Sequence, residues 1–223
     1  MKTRPTHQAF TLLELMTVLA VIVILTAMVV GVAGLVQSKA AKSRAKVEIG
    51  MLSLAADRYK SENGSYPRTA ETDKLSPMED FDPNKGKYGK ASLDFYKELT
   101  GDRIEPYDGI PEPESAVYLK EFDPRILKKT TTGVGAEKKT RIDGFQDPFG
   151  YAYGYSTAAA EVEADYLKDL RKNADEPRKK GKDAKGYNVA SFDLWSTGGN
   201  SPVGELKSDK EIASEQAKWE KNW

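Results

Sequence analysis

Cysteine is absent from this chain, and histidine occurs once, at His7. Beyond that residue no thiol and no imidazole is available, which excludes Cys–His and Ser–His nucleophilic machinery and the usual zinc sites. Carboxylate pairs could still support glycosidase-type chemistry, but the 34 acidic residues are scattered among 34 basic ones and are expected to be solvated. Without disulfides, a core or a metal must hold the fold. We therefore predict a protein that is not an enzyme.

An excess of charge of one sign is also missing. Lys plus Arg equals Asp plus Glu, so no strongly basic surface points to nucleic acid. Residues 168–185 carry eight basic and four acidic residues, but no aromatic side chains interleave with them. That composition favours a solvated loop over a nucleic-acid patch, and no nucleic-acid partner is expected.

Charge is missing altogether from Leu15 to Val36, a run of 22 residues that would form about 33 Å of helix. Such a helix can span a bilayer core of about 30 Å. Lys2 and Arg4 precede the run, and Glu14 stands at its edge, where a carboxylate is costly and usually has a purpose. An ordinary signal peptide has a shorter apolar region and a small-residue cleavage site. A plain membrane anchor is the other alternative, but it gives no reason for the order Phe-Thr-Leu-Leu-Glu.

The segment from His7 to Leu25 resembles the class III signal of type IV prepilins and pseudopilins. The resemblance implies that a prepilin peptidase cuts between Ala9 and Phe10 and that Phe10 is then N-methylated. Glu14 would take the fifth position of the mature chain, where the family keeps the glutamate that acts in assembly. Ala9 departs from the family, which usually has Gly before the cut. The resemblance also implies a cytoplasmic N-terminus.

Proline is missing from Phe10 to Asn63, which predicts one long helix of about 80 Å. The helix is expected to end at Glu62-Asn63-Gly64, because Asn and Gly tolerate the left-handed conformation of a C-cap. After the apolar run the sequence keeps helical periodicity. The predicted stripe consists of Val47, Met51, Leu54, Ala55 and Tyr59.

Two further segments resemble the major pseudopilins of type II secretion. The string Tyr59-Lys-Ser-Glu-Asn-Gly-Ser-Tyr-Pro67 is similar to their Tyr-Lys…Asn-x-x-Tyr-Pro signature. The string Asp147-Pro-Phe-Gly-Tyr-Ala-Tyr-Gly-Tyr155 is similar to their Asp-Pro-Trp-Gly…Tyr strand, which packs against the long helix. The alternation of tyrosines at 151, 153 and 155 itself predicts three rings on one strand face.

The chain departs from that family in two insertions, at about 68–146 and 158–186. In the first, prolines separate short apolar pieces such as Leu93–Leu99, and the polar stretch Lys128–Arg141 predicts a loop. The second is predicted to start with a helix from Ala158 to Leu170. The first insertion either adapts the subunit's surface to a partner or is a decoration, and the sequence leaves both open.

Near the C-terminus, Tyr187–Trp195 predicts one or two short strands, followed by a glycine-rich loop at 196–204. Ser208-Asp-Lys-Glu211 forms a capping box for a final helix. The tryptophans of that helix are expected to anchor the C-terminus to the core. The residues predicted to share its buried face are Ile212, Gln216, Trp219 and Trp223.

This C-terminal block resembles the pseudopilin ending, in which the loop binds calcium through backbone carbonyls and aspartates. Residue by residue, the resemblance implies that Thr197 gives a carbonyl, Asn200 replaces the first aspartate and Asp209 is the second. Asn is an oxygen ligand, but the missing negative charge weakens a site for a hard cation. Calcium is the expected cofactor, and a metal-free loop closed by its own turns is the alternative.

The predicted fold class is α+β: a long N-terminal helix, half transmembrane, packed on a small antiparallel sheet, as in pilins and pseudopilins. Residues 1–9 are predicted to be the leader and 10–36 the transmembrane and assembly half of the helix. Residues 37–64 are its soluble half, and 65–223 form the periplasmic globular domain.

The expected function is structural: a pseudopilus subunit of a type II-like secretion system, in the inner membrane with a single span. The expected partners are other copies of the chain, the prepilin peptidase, minor pseudopilins and the inner-membrane assembly platform. One alternative is a type IV pilus subunit for adhesion, motility or DNA uptake. The other is a membrane-anchored binding module whose central insertion holds a ligand.

Overall fold

The computed structural model describes residues 11–133, 138–172, 185–202, 206 and 208–223. The chain divides into two compact units, residues 1–40 and 41–223. The elements are helices α1 Leu12–Asn63, α2 Ala70–Lys74, α3 Gly86–Thr100, α4 Ala158–Lys172 and α5 Asp209–Gln216, a 3-10 turn Pro124–Ile126, and strands β1 Leu127–Thr132, β2 Lys139–Phe145, β3 Gly154–Ser156, β4 Asp193–Ser196 and β5 Glu220–Lys221.

The strands form two small antiparallel sheets. One is the two-stranded sheet β1–β2, and the other has the order β3–β4–β5. The predicted α+β class with a long N-terminal helix and small antiparallel sheets is confirmed. Within the described residues, no helix combines the length and the apolar character that a membrane crossing requires.

The long helix ends as its sequence predicts. Gly64 adopts a φ of +78°, and its N–H donates to the carbonyl of Lys60 at 2.8 Å. The Asn63 side chain donates to the carbonyl of Tyr59 at 2.9 Å. Left-handed glycine and a side-chain donor together satisfy carbonyls that the helix end leaves without partners.

The buried face of α1 in the second unit differs from the predicted stripe. Of the predicted residues, Ala55 is buried and Met51 and Tyr59 are partly buried against the core, but Val47 and Leu54 are exposed, by 71% and 53%. The prediction gave weight to the larger apolar side chains, whereas small alanines let the helix approach its neighbours closely. The side chains of α1 that are buried in this unit include Ala45, Ile49, Leu52, Ala55 and Ala56.

An aromatic core lies between α1, α3 and the strands. The rings of Phe95 and Tyr155 stack with centroids 3.7 Å apart and an interplanar angle of 7°. Phe145 meets Phe95 edge-on at 5.9 Å. The prediction placed Tyr151, Tyr153 and Tyr155 on one strand face, but only Tyr155 lies in β3. Tyr153, which precedes that strand, and Tyr155 are both buried, while Tyr151 is only partly buried.

The tryptophans form the second part of the core. Trp195 of β4 stacks on Trp219 with centroids 5.8 Å apart, and its indole N–H donates to the hydroxyl of Tyr88 at 3.0 Å. Gly154 lies directly under the Trp195 ring, where a Cβ would collide with the indole. The expected anchoring of the C-terminus is confirmed by buried Trp219. The predicted helical face is wrong in extent, because α5 ends at Gln216 and Ile212 is only partly buried.

The central insertion contains regular structure that its sequence did not predict. Leu93–Leu99 belongs to α3, and the segment Lys128–Arg141, predicted as a loop, lies mostly in the β1–β2 sheet. The residues of this segment in the sheet, 128–132 and 139–141, are all polar, so they lack the alternation that indicates a half-buried strand. Threonine, a good strand former, pairs across the sheet, with 3.0 Å between the hydroxyls of Thr131 and Thr140.

The second insertion starts with α4, which agrees with the predicted helix Ala158–Leu170. Of the basic segment 168–185, residues 173–184 lie outside the described residues. The strand predicted over Tyr187–Trp195 is confirmed only as β4. Tyr187 and Asn188 precede it in a turn, because their N–H groups donate to the carboxylate of Asp193 at 2.8 and 3.0 Å.

Candidate functional site

The start of α1 is built by a reciprocal cap between Thr11 and Glu14. The Thr11 N–H and hydroxyl both donate to Glu14 Oε2 at 2.9 Å, and the Glu14 N–H donates to Thr11 Oγ1 at 3.2 Å. This is the capping-box arrangement, which satisfies N–H groups that a helix start leaves free. Sequence reasoning singled out Glu14 but missed Thr11, although the spacing Thr-x-x-Glu is the signal for it.

The apolar side chains that follow have no cover among the described residues of the chain's first unit. Between Leu12 and Met28 every large apolar side chain is at least half exposed, from 52% at Ile22 to 77% at Leu12. These residues occur on all sides of the helix rather than on one stripe. A helix that is apolar all round is typical of a buried helix, and the described residues of this unit supply no cover for it.

The hydroxyls in this stretch are satisfied inside the helix. Thr17 Oγ1 donates to the carbonyl of Glu14 at 2.9 Å, and Thr26 Oγ1 donates to the carbonyl of Ile22 at 2.7 Å. Such bonds to the preceding turn leave no hydroxyl donor in need of water. Both threonines are therefore compatible with an apolar environment around the helix.

The processing residues Ala9 and Phe10 lie outside the described residues. Cleavage between them and methylation of Phe10 stay predictions. Glu14 is described, exposed and at the first turn of α1. Its carboxylate makes contacts only to Thr11 among the described residues, so its Oε1 is open to a partner from outside.

In the second unit, Glu48 is a buried carboxylate of α1 that sequence reasoning missed. Its Oε1 accepts from Arg44 Nε at 2.6 Å, and its Oε2 accepts from the Tyr153 hydroxyl at 2.6 Å. Burial, and then this carboxylate, raise the pKa of Tyr153, which keeps the hydroxyl protonated as a donor. The network holds α1 against the residue that precedes β3. Because a glutamate is rarely buried, the sequence around Glu48 does not predict its burial.

Asp147 is a second buried carboxylate, within the Asp-Pro turn noted in the sequence. Its Oδ2 accepts from Ser196 Oγ at 2.5 Å, and its Oδ1 accepts the N–H groups of Phe149 and Tyr151 at 3.0 Å each. Burial raises the pKa of Asp147 and outweighs these hydrogen bonds, which lower it. The side chain ties the turn to β4 and positions the start of the C-terminal loop.

In the loop predicted to bind calcium, residues 203–205 and 207 lie outside the described residues, and the described part from Thr197 to Asn200 makes contacts with itself. The Thr197 carbonyl accepts from the Asn200 N–H at 3.2 Å and from Asn200 Nδ2 at 2.9 Å. The amide therefore presents its nitrogen to this carbonyl, and a cation would require the amide to turn its oxygen inward. Asp209 is the first residue of α5, with an exposed side chain. Within the described residues, no three acidic side chains converge as metal ligands, and calcium here stays a prediction.

Residues 4–30 match the family model described as the prokaryotic N-terminal methylation motif. The matched range includes Ala9, Phe10 and Glu14. No curated protein and no solved structure matches the chain. The motif marks pilin-like structural proteins, which are usually not enzymes. The chain thus carries the type IV prepilin-like signal at its N-terminus.

Proposed function

We propose that this protein is a structural subunit of a pseudopilus in a type II-like secretion system. The observation that carries the proposal is the coincidence of the methylation motif at residues 4–30 with an apolar helix start that has no cover among the described residues of the first unit. A prepilin peptidase cuts between Ala9 and Phe10, and Phe10 is N-methylated. Copies of the chain then assemble by packing their N-terminal helices.

Before assembly, the same helix anchors the subunit in the inner membrane. The charge-free run from Leu15 to Val36 supports this proposal, because its length as a helix matches a bilayer core. The internally bonded hydroxyls of Thr17 and Thr26 add no cost to that placement. The N-terminus is cytoplasmic and the globular domain periplasmic.

Glu14 is the residue proposed to align subunits in the filament. Its carboxylate pairs with the amine of Phe10 on an adjacent copy, and the pairing is strengthened by the low dielectric among packed apolar helices. Minor pseudopilins and the inner-membrane assembly platform are the other proposed partners, and calcium is the proposed ligand of the loop with Thr197, Asn200 and Asp209.

Mass spectrometry of the protein from its native membrane tests the proposal directly. The expected mature chain begins at N-methylated Phe10, and electron microscopy of cells that overproduce it should show periplasmic filaments. An Ala9→Gly variant, which has the residue usual before the cut, should be processed at least as completely. An intact N-terminus at Met1, or cleavage after Val36, would overturn the proposal.

A further inference from the structure

We propose that the β1–β2 sheet, here called the basic ribbon, docks on residues 102–114 of a second copy of the chain, here called the acidic loop. The inference rests on the proposed function, because it assumes that copies are brought side by side. It concerns the central insertion, whose role the sequence leaves open. Three observations carry it: the exposed outer part of the ribbon, its lysines that have no ion pair among the described residues, and a complementary surface on the same chain.

The outer part of the basic ribbon has no described neighbour on either face. Burial falls from Leu127 and Phe145 at its base to residues 129–132 and 139–141, which are all exposed. A two-stranded sheet by itself is marginally stable in water and gains stability when one face is covered. The outer faces are therefore an unpartnered sheet surface.

Charge on the basic ribbon is only partly balanced within it. Arg141 Nε is 2.8 Å from Asp143 Oδ1 and is neutralised there. Lys128, Lys129 and Lys139 form no ion pair with any residue that the structure describes. Lysines on a strand edge disfavour non-specific pairing with another strand. A specific partner is therefore expected to place carboxylates next to these lysines.

The acidic loop has the opposite charge. Residues 102–114 contain five acidic residues and one basic residue. Asp102 and Glu112 are occupied inside the loop: Asp102 accepts from the Tyr96 hydroxyl at 2.6 Å, and Glu112 accepts the Ile104 N–H at 2.6 Å. Those bonds hold the loop in one shape. Three exposed carboxylates remain without an ion pair among the described residues: Glu105, Asp108 and Glu114.

Apolar groups at the acidic loop give the contact a centre. Ile104 and Ile110 are exposed by 68% and 67%, and the carboxylates of the loop surround them in sequence. Interfaces combine a small apolar centre with a charged rim. The threonine methyl groups of the ribbon at 130–132 suit that centre, while its lysines suit the rim.

The charges favour a second copy of the chain as the partner of the basic ribbon. The basic ribbon carries no aromatic side chain between residues 127 and 144 for stacking on nucleic-acid bases. Its complement, the acidic loop, belongs to the same chain: the Tyr107 carbonyl accepts the Ile142 N–H at the ribbon's base at 2.8 Å, and the outer part of the ribbon stays exposed. Ribbon on loop is a contact between two different surfaces, and such a contact repeats from copy to copy and extends a filament.

The absence of cysteine allows a clean test with the full chain in its filaments or in detergent. Thr132→Cys places one thiol on the ribbon, and Ala116→Cys places one beside the acidic loop. When the two single-cysteine chains are mixed and oxidised, a disulfide joining them can only connect two copies. We expect this mixed dimer to exceed each variant's self-linked dimer about tenfold, and to decrease as salt rises above about 0.1 M.

Charge reversal supplies the control. Lys129→Glu with Lys139→Glu should lower the mixed dimer about tenfold, and Glu105→Lys with Glu114→Lys on the other chain should restore it. Lys168→Glu with Lys210→Glu is the matched reversal away from both surfaces and should leave the yield unchanged. Tryptophan fluorescence verifies that each variant is folded.

The outcomes separate this contact from the proposed function. If filaments or oligomers form without the mixed dimer, or if the yield of the mixed dimer does not change on charge reversal, the contact is overturned but the proposed filament role is not. If sedimentation and electron microscopy show no assembly of any kind, both are overturned. A mixed dimer whose loss is rescued by the opposite reversal supports the contact.

Discussion

At the scale of single residues, Glu14 combines two roles that substitutions can separate. Its carboxylate caps α1 through Thr11, and in the proposed filament it meets the Phe10 amine of another copy. Glu14→Gln keeps a side chain that can serve in a capping box but removes the charge. We expect this variant to enter the membrane normally and to give few or disordered filaments in electron micrographs.

Thr11→Ala is the matched control for Glu14. It removes the reciprocal cap at a cost of about 0.5–2 kcal/mol of helix stability but leaves the carboxylate charged. Filaments of this variant should form in nearly normal number, because the helix start is held by its neighbours once assembled. If Thr11→Ala abolishes filaments and Glu14→Gln does not, the cap rather than the charge is what assembly requires.

Asp147 gives a prediction on pH. Its folded-state pKa is raised by burial, so its contribution to stability is fully present below the unfolded-state pKa and is lost as pH rises through the folded-state pKa. Asp147→Asn can still accept the N–H groups of Phe149 and Tyr151 and can donate to Ser196. We expect the variant to gain stability relative to wild type as pH rises from about 4 to 7.

Tryptophan fluorescence of the full chain in detergent measures this difference, because Trp195, Trp219 and Trp223 all lie in the second unit. Thermal melts of both chains at several pH values are compared pairwise. A variant whose stability falls relative to wild type as pH rises would show that ionised Asp147 is a net stabilising group.

At the scale of elements, the packing of α1 on its domain depends on the Glu48 network. Tyr153→Phe removes the hydroxyl that donates to Glu48 Oε2 and leaves a buried carboxylate oxygen unpaired, at a cost of about 1–3 kcal/mol. Tyr59→Phe is the control, since Glu98 keeps its ion pair with Arg103 there and the site is more open. Urea unfolding should show the larger loss for Tyr153→Phe, and equal losses would contradict a special role for Glu48.

The elements also show which parts of the fold are predictable from sequence. Local chemistry sets the end of α1 and the start of α5. Gly64 ends α1 in a left-handed conformation, and the Ser208 hydroxyl, which accepts the Glu211 N–H at 3.3 Å, begins α5. The buried face of α1 is not local, because it is chosen by partners distant in sequence. The basic ribbon was not predicted, since its outer residues 129–132 and 139–141 are polar, exposed and without the alternation that burial imposes.

The site follows the same division. The methylation motif that contains Ala9, Phe10 and Glu14 could be recognised because it is a continuous segment, and the roles of these three residues stay predictions. The capping role of Thr11 could also have been predicted, from its spacing to Glu14. Glu48 and Asp147 could not be predicted as buried, because their partners Tyr153 and Ser196 lie 105 and 49 residues away.

At the scale of the whole molecule, stability without disulfides depends on whether calcium closes the C-terminal loop. A ligand that binds only the folded state adds about 2.7 kcal/mol at a hundredfold excess over its dissociation constant. If calcium is bound through Thr197, Asn200 and Asp209, the full chain should melt several degrees higher in calcium than in chelator. The Asn200 amide must turn its oxygen toward the ion to allow this.

The difference between calcium and chelator within each variant isolates the ion's effect. Asp209→Ala also removes an acidic residue from the first turn of α5, which lowers stability in both conditions. Asp209→Ala should erase the calcium-dependent difference, and Asn200→Asp should enlarge it by restoring a negative ligand. Asp165→Ala, which removes an exposed carboxylate of α4, should leave it unchanged. Equal melting temperatures in calcium and chelator for wild type, with no ion in elemental analysis, would mean that the contacts between Thr197 and Asn200 close the loop by themselves.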